Sequence, residues 1–91
     1  MQIDFDPAKN ERNVRERGLS FERARDFEFE SAVFAIDDRQ RYGEARIRAF
    51  GRLDGRLHAL VFVETESGIR VISFRKANAR EVKRYEQASE G

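Results

Sequence analysis

The side chains with the clearest chemical potential in this sequence are its arginines. A guanidinium is planar, stays charged and offers two parallel N–H donors to two oxygens of one phosphate or carboxylate. Residues 70–84 carry six bases (Arg70, Arg75, Lys76, Arg80, Lys83 and Arg84) against Glu81 alone, whereas residues 26–38 carry five acids and no Lys or Arg. Such segregation can give a positive face to a molecule whose net charge is only +1, and it permits phosphate binding. Arg46 and Arg48 fall two apart in an alternating stretch, so they share one face of a strand. Arg70 and Arg75 lie an odd number apart and point to opposite faces unless a bulge intervenes. Arg75 and Lys76 stand just before a closing helix, whose first N–H groups could also hold a phosphate. For each cation the alternative is a solvated surface charge, since the chain has eighteen Lys and Arg.

Groups that could move protons are scarcer. His58 is the one histidine, and it falls inside an apolar stretch, where a structural strand residue is the plainer reading. Glu44 beside Arg46 is either a proton acceptor or an ion-pair partner that orients the guanidinium. Asp37 and Asp38 are adjacent acids, but consecutive strand residues face apart and make a poor two-carboxylate clamp. No metal site and no cofactor are expected. The absence of cysteine excludes disulfides, thiolate metal sites and a cysteine nucleophile.

These residues need elements to position them. Residues 2–5 are a short candidate strand. Asp6-Pro7 opens a helix, with Asp as N-cap and Pro where no donor is missed, and Gly18 closes it. Ser20 caps a second helix with Phe21, Ala24 and Phe27 on its buried side. Residues 31–36 are strand-like, and residues 37–43 read as a loop. Three strands follow at 44–53, 56–65 and 69–76, the first two joined by Asp54-Gly55, a strong tight-hairpin signal. Asn78 then caps a closing helix with Glu81 in the capping-box position. The expected fold is α+β: two N-terminal helices, an antiparallel meander of three to four strands, and a C-terminal helix.

Bulk properties set the frame. Ninety-one residues, 40% hydrophobic and with eight Phe, suffice for one core, so residues 1–91 read as a single domain. The longest apolar run, residues 59–63, is far too short to span a membrane, and nothing resembles a signal peptide. A soluble, cytoplasmic protein is expected.

Four stretches also carry a resemblance. They are Asp6-Pro7-Ala8-Lys9 with Asn13; Gly18-Leu19-Ser20-Phe21-Glu22 with Ala24; Gly43-Glu44-Ala45-Arg46 with Gly51; and Arg70-Val71-Ile72-Ser73 with Arg75-Lys76-Ala77, Arg80-Glu81 and Tyr85. In this order and spacing the chain resembles the BrnT family of ribonuclease toxins. It departs where the family has Lys-His-Gly, here Glu16-Arg17-Gly18, and where the family has Trp, here Phe5.

The resemblance implies a RelE-like fold and metal-independent endoribonuclease activity on single-stranded RNA such as mRNA. It also implies inhibition by a BrnA-type antitoxin, with DNA contacted only through that partner. Such cleavage uses the substrate's own 2′-hydroxyl, so the protein must accept a proton, donate one and stabilise a crowded phosphorane. The implied catalytic set is Arg46, Arg75, Glu44 and Lys76, with Arg75 first. Arg48, Arg70, Arg80 and Lys9 are the implied RNA-phosphate contacts, and Lys9 and Tyr85 are carried over by position as proton-transfer candidates, with a helix-surface position and core packing as their alternatives. An RNA-binding module without turnover, or a protein that only binds an antitoxin, is the reading from another class.

Overall fold

The computed structural model describes residues 1–37 and 44–90, apart from the side chains of Asp37, Ser89 and Glu90. Of the expected loop over residues 37–43, Asp37 ends a strand instead, and residues 38–43, with Asp38 of the acid pair and Gly43 of the resemblance, lie outside the described residues. The strands are β1 (Gln2–Asp4), β2 (Val33–Asp37), β3 (Arg46–Leu53), β4 (Arg56–Glu64) and β5 (Gly68–Lys76); the α-helices are α1 (Pro7–Arg17) and α2 (Ala79–Glu90).

Among the described residues the strands form one sheet in the order β1-β5-β4-β3-β2. The neighbours from β5 to β2 are antiparallel, and β1 runs parallel to β5. The α+β class therefore holds, but the expected antiparallel meander of three to four strands is corrected to a five-stranded mixed sheet. The cause is local. A methyl group at Gly68 would collide with the backbone oxygen of Gln2, so only glycine lets three N-terminal residues pair beside β5. The other edge is β2, which exposes Phe34 and Ile36 (48% and 70%).

The expected second N-terminal helix is likewise corrected: Phe21–Asp26 is a 3-10 turn, so among the described residues α1 is the one α-helix before β2. Phe21, Ala24 and Phe27 are spaced by three, which a three-residue turn aligns on one side. All three are buried against the sheet. Ser20 does cap this turn, its Oγ accepting from Glu22 N at 3.2 Å.

The other local signals act as their chemistry dictates. Asp6 accepts from Ala8 N at 2.9 Å, and Gly18 ends α1 at φ 66°. Asp54 and Gly55 both take positive φ, 53° and 77°, which a primed two-residue turn requires. Asn78 Oδ1 accepts from Glu81 N while Glu81 Oε1 accepts from Asn78 N, each at 2.9 Å; the capping box is complete. No residue of α1 is buried. Asn13 ties it down instead, its Nδ2 donating to the carbonyls of Leu19 (2.9 Å) and Phe74 (3.0 Å).

Alternation divides the sheet into two faces. The first packs Ala49, Leu53, Leu60, Phe62, Val71 and Phe74 against the 3-10 turn and Phe27. The Phe27 ring lies so close to Gly51 that a Cβ there would sit 2.6 Å from its Cζ. The second face packs Leu57 and Phe50 against Ala77, Val82 and Tyr85 of the closing segment. Beyond the reach of α2 this second face carries the arginines.

Candidate functional site

A bulge in β5 builds the site. Val61 pairs with Ser73, but its neighbour Phe62 pairs with Val71, leaving Ile72 as an extra residue. One extra residue inverts the alternation beyond it. Arg70 pairs with Val63 and Arg75 with Ala59, and those two β4 residues lie four apart on one face. Arg70 and Arg75 therefore share a face despite their odd spacing. Across β4 the same face carries Arg48 opposite Val61 and Phe50 opposite Ala59, with Arg46 and Arg52 in step. Five of the eight sequence candidates come together here: Arg46, Arg48, Arg70 and Arg75 over a floor of Val61 and Val63, and Glu44 through its bond to Arg70.

The arginines are held in different ways. Arg75 clasps Glu81 of α2 with both ends of its fork, Nη1 to Oε1 at 2.8 Å and Nη2 to Oε2 at 2.9 Å. Hydrogen bonding from Arg75, helped by the Asn78 N–H and the charge of Arg48, pulls the Glu81 carboxyl from its ordinary 4.5 down to about 2, against the opposing effect of burial. The same hydrogen bonds push the Arg75 guanidinium further up, desolvation opposing them. Arg70 donates to Glu44 at 2.5 Å. In place of the Glu44–Arg46 pairing, Glu44, just before β3, thus pairs across the face with Arg70 of β5. Arg48 lies over the Phe50 ring at 6.0 Å, and Arg52 over Tyr85 at 5.7 Å.

Beside the arginines a hollow of about 280 Å³ opens between β2 and α2, with Phe50, Tyr85 and Ala35 on its walls and Arg48 and Arg84 at its rim. The Tyr85 hydroxyl donates to the Ser31 carbonyl at 3.0 Å, fixing the ring. An aromatic wall next to fixed cations can take a base and its phosphate together.

The remaining candidates lie elsewhere. Lys76 pairs with His58 on the opposite face, so it does not join Arg75. Lys9 is exposed on α1, lining a recess with Phe21 on the other side of the sheet. Arg80 is exposed in the first turn of α2. Among the described residues no three His, Cys, Asp or Glu side chains come together as a metal site. Sequence reasoning missed Arg52, whose parity with Arg46 and Arg48 was available. It also missed the second role of Glu81, which the capping box concealed.

The Arg75–Glu81 clasp gives a pH prediction. A carboxyl whose folded value is depressed stabilises the fold above its unfolded value, and that stabilisation is lost as pH falls through the folded one. The clasp should therefore contribute about 1–3 kcal/mol at neutral pH, lost between pH 4.5 and about 2. Urea unfolding of the native chain and Glu81→Gln should differ at pH 7 and converge near pH 2. A gap that persists at pH 2 would contradict the linkage.

With the geometry in place, comparison with known families gives one match. The model of a family described as the ribonuclease toxin BrnT of type II toxin–antitoxin systems matches residues 5–81. That span includes β2 to β5, the bulge and the Arg75–Glu81 clasp. No curated protein matches the chain.

Proposed function

Because the chain belongs to the BrnT family of ribonuclease toxins of type II toxin–antitoxin systems, we propose that its arginine face is where RNA is cut. The carrying observation is the convergence of Arg46, Arg48, Arg70 and Arg75 on one side of the sheet beside the Phe50–Tyr85 hollow. The substrate is single-stranded RNA, whose unstacked bases can enter the hollow while the backbone runs over the arginines. The 2′-hydroxyl attacks the adjacent phosphorus to form the 2′,3′-cyclic phosphate as the bond to the 5′-oxygen breaks, and the leaving 5′-oxygen takes a proton from water. Arg46, Arg48 and Arg70 stabilise the phosphorane charge, a task that fixed guanidinium groups perform without a metal. A phosphate that takes the Arg70 fork displaces Glu44, whose freed carboxylate then accepts the 2′-hydroxyl proton. Arg75 works from behind, fixing α2 through Glu81 and so shaping the hollow.

Family membership brings an antitoxin partner. The proposed partner is BrnA-type, carries the DNA-binding region of the pair, and covers the arginine face with an acidic or mixed-charge segment.

The test is incubation of the purified chain with end-labelled single-stranded RNA, with and without EDTA and the antitoxin. Cleavage to 2′,3′-cyclic phosphate ends is expected, unchanged by EDTA and abolished by the antitoxin. Loss of cleavage in EDTA would overturn the metal-free mechanism. RNA that is bound but never cut would favour the non-catalytic binding module.

A further inference from the structure

The face opposite the arginines carries a second site. A cleft of about 570 Å³ opens between the C-terminal end of α1 and the β3–β4 turn, with His58 and Leu53 at its base and Arg17, Arg56 and Lys76 around it. His58 is only 4% exposed. Its Nδ1 lies 2.8 Å from the Arg56 carbonyl oxygen. A carbonyl only accepts, so in the neutral ring Nδ1 carries the proton and Nε2 the lone pair. Phe74 braces the ring at a centroid distance of 5.6 Å. Nε2 has no partner among the described residues, yet no fully buried side-chain nitrogen or oxygen there lacks one. Nε2 is therefore open to the cleft, a fixed acceptor at the foot of an otherwise enclosed imidazole.

The rim adds the second requirement. Arg23 is neutralised by Asp54 and Asp26. Arg17, Arg56 and Lys76 have no ion-pair partner among the described residues, and they outnumber the one remaining carboxylate, Glu16. A ligand that satisfies this cleft must be anionic at one end and offer an N–H or O–H donor at the other. An anion without an N–H or O–H leaves Nε2 unmet, and a neutral base leaves the rim unmet.

We propose that the cleft binds one ribonucleoside monophosphate unit, its phosphate on Arg17, Arg56 and Lys76 and a base N–H or ribose hydroxyl donating to His58 Nε2. The volume lies within the range of small-ligand pockets and suits a single nucleotide. The unit is either a free nucleotide or part of an RNA strand reaching round the sheet. The site does not depend on the reading of the arginine face.

His58 is the chain's one histidine, so its ring resonances report on the cleft without ambiguity. The full chain is titrated by NMR with the four ribonucleoside 5′-monophosphates, inorganic phosphate, adenosine and an uncleavable 2′-O-methyl oligonucleotide. At least one monophosphate should shift the His58 signals saturably. Phosphate or adenosine alone should bind about 10- to 100-fold more weakly, and Arg17→Ala with Lys76→Ala should weaken the monophosphate as much. A matching shift with the oligonucleotide identifies an RNA strand as the source, and a shift with monophosphates alone identifies the free nucleotide; both support the proposal. It is overturned if no nucleotide moves the signals, or if phosphate binds as tightly as the nucleotides, which would leave an anion site only.

Discussion

A chain carrying Arg46→Ala and Arg70→Ala together should cut RNA about 10²- to 10³-fold more slowly than the native chain, with its fold intact. The size follows from what such groups do: a fixed donor aimed at developing charge is worth that much in rate. The fold should survive, because the Arg70–Glu44 pair is roughly 40% exposed on both sides and surface pairs of this kind contribute about 0–1 kcal/mol. Arg46→Lys should fall between, since the charge remains but the two-pronged fork does not. Single-turnover cleavage of labelled RNA measures the rate, and thermal melting confirms the fold. Unchanged cleavage in a folded double variant would remove the chemistry from this face altogether.

The largest effect on stability is expected at Phe74. It is 0% exposed, meets Phe27 edge-on at 6.1 Å and His58 at 5.6 Å, and its carbonyl accepts from Asn13. Truncation to alanine deletes a ring from the centre of the first face and leaves a void between sheet and 3-10 turn. The expected cost is about 3–5 kcal/mol, a large share of the roughly 5–15 kcal/mol that holds a domain together. For a chain of this length the melting temperature should fall by roughly 15–30 °C. A loss under about 1 kcal/mol in urea unfolding would mean that the core is not organised around this ring.

Much of this architecture was legible in the residues themselves. Asp6-Pro7 and Gly18 bound α1, Asp54-Gly55 makes the hairpin and Asn78 with Glu81 caps α2, because each signal is satisfied within a few residues. The features that escaped depend on distant partners. Whether Phe21, Ala24 and Phe27 form an α or a 3-10 turn depends on the surface they meet. Gln2–Asp4 was legible as a strand, but not its parallel place beside β5, which rests on the room Gly68 leaves sixty-odd residues away. At the site, the parity of Arg46 and Arg48 could be read directly. The common face of Arg70 and Arg75 could not, since nothing in Val71-Ile72-Ser73 announces a bulge. His58 was legible as an enclosed strand residue, but not as an acceptor at the foot of a cleft.

The extra residue in β5 also fixes how the gene can change. Losing Ile72 alone would leave a regular ladder, with Val71 still opposite Phe62 and Ser73 opposite Val61, so every side chain would keep its side. Gaining a residue between Ser73 and Phe74, with no second bulge to absorb it, would act on side chains as a frameshift acts on codons. Phe74 would turn out towards water, and Arg75 would be driven into the greasy interior, away from Glu81; a two-residue gain would restore the phase. Natural variation in length is therefore tolerated as loss at the bulge, whereas single-residue gains should accumulate outside this strand.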